Sequence, residues 1–295
     1  MLRRVALASL LIVTMLVASG CAPLGRWTLW RADLPFETEA FMNSVREGNL
    51  DAVKMYLNAG MRVDAQNKHG YTPIIVAAEA NQTEMVRHLL ALGVPVDQRS
   101  ADGWTALHLA ASYGNVDMVK FLLEQGADVN ATHNHGSTPL ILAMLSANYY
   151  TTETLLDAGA EIDFALPNGA TPLILAAQFG DLPHVSAAEL LINRGANVEA
   201  RMEGGFTALM VAVQEGHFDM TKMLLDEGAD PNARNDETAT VLVIATLSEQ
   251  VAIVGLLCTY GAEVNATYQG VTALGIAMGR GFQTIGEILM SHGAR

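Results

Sequence analysis

The chain has 295 residues, 51% of them hydrophobic and 16% charged, with 31 acids against 17 bases and a formal net charge of -14. That composition supplies a packed core and excludes disorder, and the acid surplus argues against non-specific DNA or RNA binding, which needs clustered Lys and Arg to release counterions. Two cysteines, Cys21 and Cys258, exclude a disulfide scaffold, so packing must supply the stability.

At the start, Arg3 and Arg4 precede an apolar or small run from Val5 to Gly20, the basic and hydrophobic regions of a secretory signal. The run falls short of the roughly 20 apolar residues that span a bilayer. It closes in Ala18-Ser19-Gly20 ahead of Cys21, which resembles a bacterial lipobox. The resemblance implies diacylglycerol on the Cys21 thiol, cleavage before it, and, with Ala22 at the next position, transport to the outer membrane. An uncleaved membrane anchor is the alternative reading. The paired arginines alone make a weak twin-arginine signal, because the usual flanking Ser/Thr and Phe-Leu are absent.

Residues 1–20 are therefore expected to be a signal peptide and 21–35, with Pro23, Gly25, Trp27, Trp30 and Pro35, a short tether. Processing removes two arginines and no acid, which takes the net charge to -16. The expected location is the periplasmic face of the outer membrane. Translation from an internal Met15 or Met42 is the alternative, and a start at Met42 would leave a cytoplasmic form lacking part of the N-terminal cap.

From residue 36 onward the sequence repeats. Thr72-Pro73-Ile74, Thr105-Ala106-Leu107, Thr138-Pro139-Leu140, Thr171-Pro172-Leu173, Thr207-Ala208-Leu209, Thr240-Val241-Leu242 and Thr272-Ala273-Leu274 are separated by 33, 33, 33, 36, 33 and 32 residues. Each Thr is a helix N-cap, and a following Pro has the right φ and lacks only an N–H that would have no partner, so a first helix starts at each Thr. Small pairs such as Ala77-Ala78 and Ala110-Ala111 allow close packing, while Leu89-Leu90, Leu122-Leu123, Leu155-Leu156, Leu190-Leu191 and Leu224-Leu225 supply bulk in a second helix. Gly93, Gly126, Gly159, Gly195, Gly228 and Gly261 sit where that helix needs positive φ to stop.

This pattern resembles the ankyrin repeat over residues 36–295, and it implies an all-α solenoid of helix-turn-helix units joined by β-finger turns. Residues 37–60 carry only the second half of the pattern and are expected to be an N-cap before seven full repeats. Leu182-Pro183-His184 is a three-residue insertion, expected in the turn between the helices of the fourth repeat. The sixth repeat has Thr238 where the others have Gly and Val241 where several have Pro. A weak seam at residues 230–260 is expected there, opening to hydrogen exchange before 100–130.

No reaction chemistry is evident. The sequence has no Gly-x-Ser-x-Gly elbow, phosphate-binding Gly-x-x-x-x-Gly-Lys-Ser/Thr loop or His-Glu-x-x-His pair. His133 and His135 fall at a finger tip with no third ligand and are expected to be solvated turn residues. His108 occupies the histidine position of the family's Thr-Pro-Leu-His motif, which implies a structural hydrogen bond. His88, His184, His217 and His292 share no acidic partner, and Asp128, Asp163 and Asp230 recur at repeat spacing, as structural carboxylates would. Cys258, next to Leu256, Leu257 and Tyr260, is expected to be a buried structural thiol. No catalytic residue, metal site or cofactor is predicted.

The positions that the repeat leaves free point to a partner. In the architecture implied by the resemblance, the residue before each Thr and the end of each first helix face a concave groove. Tyr71, Trp104, Tyr113, Leu145, Phe179 and Phe206 fall at those positions, an expected apolar and aromatic stripe with Trp104, Tyr113 and Phe206 as anchors. Polar finger residues, including Lys68-His69, Ala101-Asp102 and Asp236-Glu237, are expected to form a negative rim that favours a basic partner surface. Bacterial ankyrin lipoproteins are found as immunity or accessory partners of lipase-type effectors, which implies a non-catalytic inhibitor that is monomeric until bound. A periplasmic scaffold or stress-protection role for an envelope enzyme is the alternative.

Overall fold

The computed structural model describes Arg26, Thr28, Leu29 and residues 32–295, in which sixteen α-helices form eight hairpins. The signal segment and Cys21 lie outside these residues. Of the stretch expected as a tether, Arg26, Thr28, Ala32, Asp33 and Pro35 are exposed, while Leu29 is 1% exposed and the Tyr56 hydroxyl donates to the Pro35 carbonyl at 3.0 Å. The chain divides into two compact units, one ending at Ala110 and including Asp117–Asn134, the other Ala111–Val116 with His135–Arg295.

The first unit holds α1 (Thr38–Arg46), α2 (Leu50–Asn58), α3 (Pro73–Glu79) and α4 (Thr83–Ala91), most of α5 (Ala106–Ser112) and nearly all of α6 (Val116–Glu124). Its first helices stack, α1 on α3. Phe41, Tyr56, Ile74, Met85 and Leu89 fill the interior, with Phe41 and Tyr56 meeting edge to face at 5.6 Å.

The second unit continues with α7 (Pro139–Leu145), α8 (Tyr149–Asp157), α9 (Pro172–Phe179), α10 (Leu182–Asn193), α11 (Ala208–Glu215) and α12 (Phe218–Asp226). It ends with α13 (Val241–Leu247), α14 (Val251–Thr259), α15 (Ala273–Arg280) and α16 (Gln283–Ser291). First helices pack on first helices, α9 on α11, α11 on α13 and α13 on α15. Second helices do the same from α8 through α16. One apolar core runs through the unit from Ile141 to Leu289. Each hairpin thus buries a face that it could not bury alone, which is why stability in such a stack is set by neighbouring repeats.

Every first helix of the seven full repeats begins at the residue after its Thr. Thr138, Thr171, Thr207, Thr240 and Thr272 accept through Oγ1 from the N–H three residues on, at 3.2–3.4 Å. Thr72 does not: its Oγ1 is buried with no hydrogen-bond partner among the described residues, although Pro73 still opens α3. Extended backbone at the Thr and the following Pro are therefore enough to set the start there, and the hydroxyl bond adds to it where it forms.

The insertion corrects one expectation. Leu182, Pro183 and His184 do not lengthen a turn but form the first turn of α10, which has 12 residues where α8 and α12 have 9. Asp181 is the reason: it caps the helix by accepting from the His184 N–H at 3.1 Å, and Pro183 lies in the first turn, where an N–H would have no partner.

The fingers are mostly tight turns rather than strands. Only the last forms paired strands, β1 (Thr267–Tyr268) and β2 (Val271–Thr272), with Thr267 opposite Thr272 and Tyr268 opposite Val271. Asn67, Ser100 and Asn235 hold their fingers by accepting through the side chain from the N–H of Tyr71, Trp104 and Ala239 respectively. Neighbouring fingers are also tied to one another: the Glu203 N–H donates to Asn168 at 2.8 Å, and the Asp236 N–H to Gly204 at 3.0 Å. The repeat-spaced carboxylates are structural as expected. Asp163 accepts from the Asn197 N–H, while Asp128 and Asp230 accept from Asn130 and Asn232.

Candidate protein-binding face

In the first unit, Trp104 is half-buried because of the finger that follows. Its ring stacks on His133 at 4.4 Å and 15° and meets His108 edge-on at 5.8 Å. His133 is 7% exposed, so it is not a solvated turn residue, whereas His135 is exposed. The reason is positional. His133 occupies the place where other fingers carry Asn67, Ser100 and Asn235, whose short side chains bond their own backbone. An imidazole there is long enough to cover the preceding ring. His108 is fully buried, with Nδ1 2.8 Å from Thr105 Oγ1, the structural bond the repeat implies. Tyr71, also in this unit, is half-buried beside His69.

The other four stripe residues belong to the second unit. Tyr113, Leu145 and Phe179 are exposed, Tyr113 by 59%. Phe179 keeps 45% exposure although one side of its ring stacks on His184 at 4.8 Å. Phe206 is half-buried and walls an open cleft of about 300 Å³ between the first helices and fingers of two successive repeats. The floor is apolar, from Ala170, Ile174, Leu175 and Val211, with Met202 beside Phe206. Glu203 stands at the finger end, and Gln178, Gln214 and Glu215 at the helix end.

A second row of exposed side chains escaped the sequence reading. Tyr149, Tyr150, Leu182, Phe218 and Val251 stand at the opening turns of α8, α10, α12 and α14, with Tyr150 and Leu182 each 70% exposed. They share one edge with Tyr113, Leu145 and Phe179 because the helix-to-helix loops are laddered. Asn148 donates to the Ser112 carbonyl at 3.2 Å, and His217 Nε2 to that of Gln178 at 3.0 Å. Gly180 permits the second contact: it has φ +62°, and a Cβ there would lie 2.0 Å from the His217 ring. The available signal was clearest at Tyr150, the second residue of α8, where α2, α4 and α6 carry Asp51, Glu84 and Asp117.

The hydrogen bond from His184 holds the Asp181 carboxyl below its ordinary value. Lys222, and after it the Tyr260 hydroxyl, do the same for Asp226. Burial raises the pKa of the half-buried Cys258 thiol, the direction expected of an unreactive cysteine. Among the described residues no group of three or more His, Cys, Asp or Glu gathers as metal ligands would, and no helix is long and apolar enough to cross a membrane.

Comparison with known proteins agrees with this architecture. The family model "Ankyrin repeats (3 copies)" matches residues 8–100, 41–133, 92–165 and 140–235. No curated protein sequence matches significantly. Among solved structures, the human ASB11 ankyrin repeat domain is 29% identical with a TM-score of 0.65, over 76% of this chain and 99% of that one. Matching chains number 565, so the hairpin stack alone singles out no partner. Repeat spacing, hairpin stacking and family match together place this chain in the ankyrin-repeat family, whose members are generally binding scaffolds for other proteins.

Proposed function

We propose that the chain is a non-catalytic lipoprotein that binds a lipase-type toxin effector along its first helices and fingers, blocks the effector's active-site cleft or lid, and so confers immunity. The observation that carries the binding part is the face around Phe206. Its half-buried Met202, Phe206 and Val211 keep part of their apolar surface open after the repeats have packed on one another, and they are bordered by Glu203 and Glu215, whose carboxylates have no ion-pair or hydrogen-bond partner among the described residues. A half-open ring and apolar side chains beside unpaired carboxylates favour a partner surface that is apolar with a basic border. The leader pattern ending at Cys21 supports a site of action at the membrane, where a secreted lipase would arrive.

The test uses a lipase-type effector encoded beside this protein. Equimolar addition of the chain should suppress its ester hydrolysis. Phe206→Ala and Tyr113→Ala should each weaken binding by about 2 kcal/mol, roughly thirtyfold, in titration calorimetry. Unchanged hydrolysis rejects immunity, and unchanged affinity in both variants rejects this face. Cys21→Ser should move the protein from the membrane fraction to the soluble fraction of the envelope, and persistence at the membrane would refute lipidation at Cys21.

A further inference from the structure

Each hairpin of the stack hides one face under the next, and on the last hairpin that face is open. Leu274 and Met278 of α15 lie four residues apart and so on one side of the helix, as do Gly286 and Met290 of α16. The two rows adjoin: a Cβ on Gly286 would lie 3.5 Å from Met278 Sδ and 3.8 Å from Leu274 Cδ1. The matching residues 32 positions earlier are Leu242, Thr246, Val254 and Cys258, of which the first three are at most 1% exposed. Met278 is instead 66% and Met290 51% exposed, because among the described residues no further hairpin packs on α15 and α16. The outer face of a terminal repeat is ordinarily polar. This one is apolar, whereas α1 and α2, which open the array, expose no large apolar side chain.

We propose that this face is covered by the same face of a second copy of the chain, tail against tail. The charge pattern selects that occupant. The chain carries 31 acids against 17 bases, but residues 267–295 hold one acid, Glu287, against Arg280 and Arg295. A basic surface of the kind proposed for the first-helix face finds almost nothing to pair with here. Two copies, by contrast, meet here without the like-charge repulsion that a net charge of -14 imposes elsewhere. Methionine side chains adapt to the surface they meet, so two such faces can interdigitate. The contact closes as a twofold dimer and does not grow into a filament, since the start of the array offers no matching apolar face. The free protein is then a dimer and not the monomer expected from the sequence, whether or not the immunity reading holds.

The experiment is sedimentation velocity on the full chain between about 1 and about 100 µM, over which the mass should rise from one chain to two and stop there, as a small interface implies. Met278→Glu and Met290→Glu each place a carboxylate at an already exposed position, so thermal unfolding in dilute solution should be unchanged. The dissociation constant of the dimer should nevertheless rise about tenfold or more in each. Tyr150→Glu, on α8 and 70% exposed in the wild type, should leave the dimer as it was. A monomer throughout, species larger than two chains, an unmoved dissociation constant in both methionine variants, or an equal loss with Tyr150→Glu would each overturn the proposal. None of these measurements uses an effector, so their failure leaves the immunity reading standing, and failure of that reading leaves the dimer standing.

Discussion

Trp104 and Phe206 occupy the same place in two repeats, the residue before the capping Thr, yet one ring is covered and the other borders an open cleft. The following finger accounts for the difference. Its corresponding residue is His133 in one case, which stacks on Trp104, and Asn235 in the other, which turns inward to accept from the Ala239 N–H at 2.9 Å. An aromatic residue at a free position of a repeat is therefore no measure of an available surface until the neighbour's side chain is known.

The largest effect should come from the covered ring. Trp104→Ala is expected to cost about 3 kcal/mol of stability in denaturant unfolding, because it removes a packed ring and leaves His133 and His108 facing a void. In a double-mutant cycle with His133→Ala the coupling should reach about 1 kcal/mol. A Trp104→Ala protein of unchanged stability would break the comparison. Phe206→Ala should behave in the opposite way, with a modest change in stability and most of its effect, about 2 kcal/mol, on binding. Equal stability losses for the two variants would show that both rings are structural.

Smaller effects sharpen the contrast between regular and irregular repeats. Asp181→Ala should cost about 1 kcal/mol at neutral pH through loss of the α10 cap. The Asp181 carboxyl is held below its unfolded value, so its contribution is present above about pH 4 and fades as pH falls through the lower folded value. The gap between wild type and variant should therefore close in acid, and a constant gap would assign the cost to packing. Thr238, β-branched, sits at φ +70°, where the corresponding residues Gly70, Gly103, Gly136 and Gly169 meet no such conflict. Thr238→Gly should raise stability by about 1 kcal/mol and slow hydrogen exchange over residues 230–260 relative to 100–130. No change in either would place the seam elsewhere.

The repeat period, the helix starts at each Thr and the glycine stops were legible because they depend on backbone preferences that act within a few residues. Thr171, Thr207 and Thr240 cap their helices as local rules require, and Gly126 and Gly159 take positive φ. The insertion at 182–184 was visible as an irregular spacing, but extending α10 depended on the Asp181 cap and the Pro183 position acting together. Of the candidate binding residues, Tyr113, Leu145 and Phe179 are exposed where the repeat implied, whereas the row at Tyr149, Tyr150 and Phe218 was missed because it lies on the second helices.

The sequence by itself determined the ankyrin-repeat family and the order of its helices, since capping, helix stopping and alternation of small and bulky residues are short-range and recur seven times. Only the tertiary structure decided which rings stay open and where carboxylates remain unpaired. Those outcomes depend on side chains about thirty residues apart, His133 over Trp104 and Asn235 away from Phe206, and no period in the chain encodes which of them will reach across.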